Sequence, residues 1–165
     1  MTSPLGGTAG FQIDTFKAQL NKIYLCNKYN SHQNIMYVLG DITEMNLGSK
    51  VFDYIFLAET LEHISHDKHV PLIQKCIDAM KDERSDFFIS TPNSQEVEKE
   101  KEKGHIGILN DYYFNIFEYT YRRYIDYVRY YDQSKLLDGD PVQFSTFNHR
   151  NGGFQICLKN YMINI

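Results

Sequence analysis

The sequence lacks tryptophan, has few prolines and contains no long hydrophobic run. Its three cysteines are widely separated and odd in number, which is typical of reduced thiols rather than of a disulfide framework, so we expect a cytoplasmic protein. No apolar run approaches the roughly 20 residues that span a bilayer, and we therefore expect no membrane segment. A net charge of −4 gives no general attraction for phosphates, so nucleic acid is not the first expected partner.

The remaining composition is that of a globular domain. Of the 165 residues, 42% are hydrophobic, which is enough for one compact core. The opening residues are small, polar and rich in glycine. The sequence therefore predicts a flexible leader over 1–9 and a single domain over 10–165.

Short apolar runs alternate with helical patterns through the first hundred residues. Apolar residues recur at helical spacing from Phe16 to Asn27, and a second helical pattern begins at Pro71, a residue that suits a first helical turn. The segment Glu96–Lys103 alternates acidic and basic residues, which is typical of a solvated helix or a mobile lid. The apolar runs that we predict to be buried parallel strands are Gly10–Asp14, Ile35–Leu39, Phe52–Leu57 and Phe87–Ser90.

Aromatic residues concentrate in the second half of the chain. The sequence predicts a long aromatic helix over about 111–131, and its surplus rings favour burial in the core and against a partner chain, such as a second copy. Arginines interleaved with the tyrosines leave stacking on bases or on an aromatic acceptor as the alternative. Beyond this helix, Val142–Phe147 and Phe154–Leu158 alternate like paired strands, with Asn151-Gly152-Gly153 as their turn.

Polar residues follow the predicted strands at their carboxyl ends. Strands that alternate with helices form a doubly wound sheet, in which ligands bind beyond these ends. The residues in that position are Asp14, Asp41, Glu59 and Asn93. We therefore expect a ligand site at this edge of the sheet.

Four segments resemble, in order and spacing, the second to fifth strands of the class I S-adenosylmethionine-dependent methyltransferases. They are Gly10–Asp14, Val38–Ile42, Phe52–His63 and Ile89–Asn93, and the C-terminal hairpin resembles the sixth and seventh strands. The resemblance implies an α/β, Rossmann-like methyltransferase sheet, mostly parallel with a C-terminal antiparallel hairpin. It also implies that the sheet is N-terminally incomplete, because the first strand and the glycine-rich loop of the family have no counterpart here.

The same resemblance implies S-adenosylmethionine as the cofactor. Asp14 would accept hydrogen bonds from its ribose hydroxyls, Asp41 would bind the adenine amino group, and Ile42 would lie against the adenine ring. Glu59 would also face the cofactor. From the residues alone, the alternatives are that Asp14 caps a helix N-terminus and that Asp41 belongs to a turn.

The segment after the third predicted strand carries a Glu-x-x-Glu-His cluster. Glu59, Glu62 and His63 stand at i, i+3 and i+4, which places them on one face of a helical turn. Two carboxylates and an imidazole that converge suit a divalent metal, Mg²⁺ or Mn²⁺ for the oxygen ligands, while the imidazoles leave Zn²⁺ or Fe²⁺ open. His105 is the best candidate for a further ligand. The alternative is that the glutamate and histidine cap a turn or contact substrate, and His66 and His69 are expected to face solvent.

This cluster, with the later Thr-Pro-Asn turn and His105, is similar to two groups of metal-assisted O-methyltransferases, those of quinone biosynthesis and those that modify the 2′-hydroxyl of small RNAs. The resemblance implies methyl transfer to an acceptor hydroxyl, with Glu59, Glu62 and His63 as catalytic residues. A small-molecule acceptor fits the acidic chain better than RNA. The rival hypothesis is a catalytically silent Rossmann-like module that binds a partner.

Overall fold

The computed structural model describes residues 24–25, 28, 38–132, 144–145 and 152–160. The chain divides into two compact units, residues 1–45 and 46–165. In the first unit Tyr24, Leu25 and Lys28 are helical, as the pattern from Phe16 predicts. The predicted leader, the strand over 10–14 and Asp14 lie outside the described residues. The division into leader and single domain stays a prediction.

The described part of the second unit contains a five-stranded sheet in the order β1-β2-β5-β3-β4. Strand β1 (Tyr54–Ala58) runs parallel to β2 (Asp86–Pro92). Strand β5 (Gly152–Lys159) lies antiparallel between β2 and β3 (Ile125–Asp132), and β3 also pairs antiparallel with the short β4 (Phe144–Ser145). The helices are α1 (His66–Ala79), α2 (Val97–Glu102) and α3 (Asp111–Tyr121), and a 3-10 turn covers Leu61–His63.

The predicted α/β, Rossmann-like sheet is confirmed. Both apolar runs of the second unit are strands, displaced by no more than two residues from their predicted ends. The charged segment 96–103 is helical over α2 and buries none of its side chains, so it is a solvated helix. Of the run Ile35–Leu39 only Val38 and Leu39 are described, and they lie in no regular element.

The helix predicted from Pro71 begins earlier than expected. Helix α1 starts at His66, so Pro71 lies inside it rather than at its first turn. Because Pro71 has no backbone N–H, the carbonyl oxygen of residue 67 loses its intrahelical donor, and the helix forgoes one hydrogen bond at this point. Its inward face carries Leu72, Ile73 and Ile77, which are buried against the sheet and complete the core.

The prediction of one aromatic helix over 111–131 is wrong. Helix α3 ends at Tyr121, and the chain turns into strand β3 from Ile125. Tyrosine, valine and isoleucine favour strands, and strand β3 gains a full ladder with β5 that a continued helix would forgo. Tyr112, Ile116 and Tyr119 of α3 remain exposed, so the predicted oligomer contact on this surface stays a prediction.

The predicted C-terminal hairpin is also wrong in its partners. Strand β5 pairs with β2 and β3, whereas β4, inside the predicted run 142–147, pairs with β3. Gly152 and Gly153 belong to strand β5 and not to a turn. Glycine is needed at 153 because a Cβ atom there would lie 2.2 Å from the ring of Tyr131 on the neighbouring strand.

Candidate functional site

Glu59 lies immediately beyond the carboxyl end of β1 in an unusual backbone conformation. Its φ angle of 47° is left-handed, which is uncommon for a residue other than glycine. Its backbone N–H donates to the Ser90 carbonyl oxygen of β2 at 2.9 Å, so the two strand ends fix this conformation. Non-glycine residues in this region cluster at functional sites.

The Glu59 carboxylate is held by two hydroxyl donors. Ser90 Oγ and Tyr131 Oη both donate to Glu59 Oε1, at 2.9 and 3.0 Å. Burial, together with the nearby Glu59 charge, raises the pKa of Tyr131, so this phenol remains a donor at physiological pH. Glu59 is therefore positioned by β2 and β3 as well as by its own strand.

Glu62 is buried in the 3-10 turn that follows. Thr91 Oγ1 of β2 donates to Glu62 Oε2 at 3.3 Å, and the side chain is almost inaccessible to solvent. Burial raises the pKa of Glu62, with a smaller contribution from the charge of Glu59. His63 is half exposed, and its Nε2 lies 3.8 Å from Glu62 Oε1.

His105 reaches the same region from the segment after α2. Its ring meets the His63 ring edge-on, with centroids 5.0 Å apart. Its Nδ1 lies 2.7 Å from Glu100 Oε2. Burial opposes ionisation of Glu100, but hydrogen bonds from Lys103 and His105 outweigh it and hold the pKa of this carboxyl below its usual value.

A polar cavity of about 270 Å³ lies beside Glu100 and His105 at the carboxyl end of β2. Two segments line it, the residues at and after the end of β2 and the segment from Glu96 to His105, which contains α2. The lining residues are Pro92, Asn93, Ser94, Glu96, Glu100, Lys103 and His105. Ligand sites of this fold class lie at this edge of the sheet.

The four predicted metal ligands lie near one another but do not form a metal site. Across the described ranges, no three histidine, cysteine, aspartate or glutamate side chains are grouped so that they could hold one ion. Glu59 and Glu62 face hydroxyl donors, and His105 is bonded to Glu100. The donor set of the described residues therefore does not fit a metal in this arrangement.

Asp41 and Ile42 belong to the first unit, in a turn over residues 42–44. Asp41 Oδ1 accepts hydrogen bonds from the Thr43 backbone N–H at 2.9 Å and from Thr43 Oγ1 at 2.8 Å. This is the turn geometry that the residues alone left open. The second carboxylate oxygen is not used in these two bonds.

His66 and His69 do not face solvent as expected. His69 is buried, and its Nε2 contacts the carbonyl oxygens of Leu61 and Ile64 at 2.9 and 2.8 Å. His66 stacks on Tyr113 with ring centroids 3.5 Å apart. His69 therefore ties helix α1 to the turn that carries Glu62, whereas His66 ties it to helix α3. Their positions in a polar segment do not indicate these contacts.

The buried His69 predicts that the stability of the protein depends on pH. Burial lowers its pKa from 6.5, against the hydrogen bonds to Ile64 and Leu61, so the unfolded chain takes up the proton first as the pH falls. We expect the free energy of unfolding to decrease below pH 6.5, by at most about 1.4 kcal/mol per pH unit. Urea unfolding of wild type, of His69→Asn and of the control His66→Asn measures this. Only His69→Asn should flatten the dependence, and equal slopes in all three would contradict the assignment.

No family model and no curated protein sequence matches the chain. Several solved structures are similar to it. The N-methyltransferase NodS of Bradyrhizobium japonicum WM9, solved with S-adenosyl-L-homocysteine, has a TM-score of 0.52 at 14% identity, over 82% of this chain and 59% of its own. An S-adenosylmethionine-dependent methyltransferase of Archaeoglobus fulgidus has a TM-score of 0.51 at 16% identity, over 79% and 70%.

A methyltransferase of the same class from Methanosarcina mazei has a TM-score of 0.51 at 12% identity, over 83% of this chain and 76% of its own. Likeness at these identities establishes the fold, which is the Rossmann-like fold of S-adenosylmethionine-dependent methyltransferases. The chain spans less than two thirds of the length of NodS. Among the described residues, no helix is long and apolar enough to cross a membrane.

Proposed function

We propose that the protein is an S-adenosylmethionine-dependent methyltransferase that transfers a methyl group to an acceptor hydroxyl. The observation that supports this most is Glu59, a residue in the left-handed region beyond β1 whose carboxylate is fixed by Ser90 and Tyr131. Such a strained position, with its carboxylate held by two donors, lies where this fold binds its ligands. The likeness to NodS, which was solved with S-adenosyl-L-homocysteine, agrees with the proposed cofactor.

The predicted cofactor-binding residues are Asp14, Asp41, Ile42 and Glu59. A carboxylate accepts two hydrogen bonds at once and therefore suits the vicinal hydroxyls of a ribose, the role we propose for Asp14. Asp41 would accept a hydrogen bond from the adenine amino group, a role that a carboxylate can fill because its oxygens only accept.

The reaction needs few groups from the protein. When bound, S-adenosylmethionine supplies an electrophilic methyl group on a positively charged sulfur. Glu59 would face the cofactor with a carboxylate that Ser90 and Tyr131 hold in place, and Glu62 and His63, in the turn that follows, would act on the side of the acceptor. The rate enhancement would come from holding the acceptor oxygen in line with the methyl group. We assign no step to a metal, because in the described part of the chain no three histidine, cysteine, aspartate or glutamate side chains are grouped to hold one.

The cofactor assignment predicts a loss of affinity in a single variant. Asp14→Ala is expected to weaken S-adenosyl-L-homocysteine binding by about 1–3 kcal/mol, since charge-assisted hydrogen bonds to the ribose are lost. Isothermal titration calorimetry measures this directly. The matched control is Asp53→Ala, which removes an exposed carboxylate before β1 that pairs with Lys81. Unchanged affinity in folded Asp14→Ala protein would remove Asp14 from the site.

A further inference from the structure

The cavity at the carboxyl end of β2 has a charge balance that suits a neutral ligand. On helix α2, Lys99 donates to Glu96 and Lys103 donates to Glu100, both at 2.7 Å. The two carboxylates of the lining are thus each matched by an ammonium group. No excess of positive charge is present to bind a phosphate, and no excess of negative charge to bind a cation. Asn93 and Ser94 add neutral polar groups to the wall.

The position of the ring proton is defined for His105, the histidine of this cavity. Glu100 is held ionised, and an ionised carboxylate only accepts hydrogen bonds. At 2.7 Å from Glu100 Oε2, Nδ1 of His105 must therefore carry the proton. In the neutral form of the ring, which has one protonated nitrogen, the lone pair is then on Nε2. Among the described residues, Nε2 makes no hydrogen bond.

The surroundings keep this ring in place. The His63 ring packs edge-on against it, and the His105 backbone N–H donates to the Glu100 carbonyl oxygen at 2.9 Å. Gly104 precedes it with a φ of 88°, the left-handed conformation that turns the chain back after α2. His105, with Nδ1 bonded to Glu100, thus lines a polar cavity next to the proposed site of methyl transfer, in the arrangement of a base oriented by a third group.

We propose that Glu100 and His105 form the proton-accepting pair of the transferase and that the cavity binds a small neutral acceptor with a hydroxyl group. This inference rests on the proposed function. In the transfer, the acceptor oxygen forms a bond to the methyl carbon while the sulfur–methyl bond breaks and its electron pair stays on sulfur. The hydroxyl proton moves to Nε2 of His105. Sulfur becomes neutral, and Glu100 stabilises the imidazolium that forms.

The first test reads the tautomer of His105 in the intact chain. Nitrogen-15 spectra that correlate ring nitrogens with ring protons distinguish Nδ1–H from Nε2–H. Since free imidazole side chains favour Nε2–H, finding Nδ1–H in wild type supports the pair. Glu100→Ala should shift the ring toward Nε2–H, while Glu98→Ala, which removes an exposed glutamate of the same helix, should not. An Nε2–H tautomer in wild type would overturn the proposal.

The second test measures transfer from methyl-labelled S-adenosylmethionine to catechol, glycerol and ethanolamine. Labelled methyl on a hydroxyl oxygen is expected, and His105→Gln should lower kcat by about 100-fold or more. The affinity of His105→Gln for S-adenosyl-L-homocysteine should match wild type. Undiminished transfer by His105→Gln overturns the role of the pair, and transfer to nitrogen alone or to none of the three overturns the acceptor class. Wild type that fails to bind S-adenosyl-L-homocysteine fails the proposed function instead.

Discussion

Gly107→Ala is expected to destabilise the second unit by about 3 kcal/mol, because the new methyl group has no room. A Cβ atom at this position would lie 1.7 Å from the Ile64 carbonyl oxygen and 2.6 Å from that of Leu61. It would also lie 2.7 Å from His69 Nε2, and two of these three neighbours are backbone atoms that cannot turn away. The free energy of unfolding from urea denaturation measures the loss.

Gly104→Ala is the matched control for this substitution. Gly104 has a φ of 88°, but a Cβ atom there would meet nothing within 4 Å. Its cost should be limited to the backbone strain of about 1 kcal/mol. If both variants lose the same stability, the close packing of residue 107 against the turn that carries Glu62 is not what the structure indicates.

Phe154→Ala is expected to cost about 3–5 kcal/mol, the usual range for removing a buried aromatic ring. Phe154 is fully buried on β5, where it stacks on Phe114 of α3 with ring centroids 4.2 Å apart. Tyr130 of β3 meets the same ring from the side at 5.4 Å. The variant therefore tests the assignment of β3 and α3 together.

Tyr119→Ala provides the comparison for this second substitution. Tyr119 lies on α3 as well, but it is 75% exposed. Removing its ring should change the unfolding free energy by no more than about 0.5 kcal/mol. A larger loss of stability from Tyr119→Ala than from Phe154→Ala would contradict this orientation of α3, because it would mean that the opposite face of the helix packs against the sheet.

The sequence predicts the parallel part of the fold well. The strands over 52–57 and 87–90 are readable because both form continuous apolar runs, as buried parallel strands do. The predicted burial is wrong for β1, where Tyr54 and Phe56 are exposed. Helix α2 is readable from its alternating charges, which form the pairs Lys99 with Glu96 and Lys101 with Glu98.

The antiparallel part of the sheet could not be predicted from the sequence in the same way. Aromatic residues occur in both helices and strands, so the pattern over 111–131 does not mark the change at Tyr121. Two neighbouring glycines favour a turn, yet Gly153 is needed in a strand to admit the Tyr131 ring. Which strand pairs with β5 depends on contacts far apart in sequence, and local alternation carries no information about them.

The candidate site also contains residues that the sequence predicts and residues that it does not. The residues of one short segment, Glu59, Glu62 and His63, could be singled out because they follow a strand end. Their partners could not, since Tyr131 lies 72 residues from the Glu59 carboxylate it contacts. Glu100 lies in a charged helix among other glutamates. Its spacing to His105 is the only feature of the sequence that could have indicated its role.

The measurement that tests the central claim most directly is calorimetric titration of the wild-type chain with S-adenosyl-L-homocysteine, with adenosine as the comparison ligand. The account predicts saturable binding of one S-adenosyl-L-homocysteine per chain, weaker binding of adenosine, and a loss of affinity in Asp14→Ala. A folded wild-type chain that binds neither ligand would contradict the methyltransferase assignment. It would favour the rival hypothesis, in which the Rossmann-like sheet serves only to bind a partner.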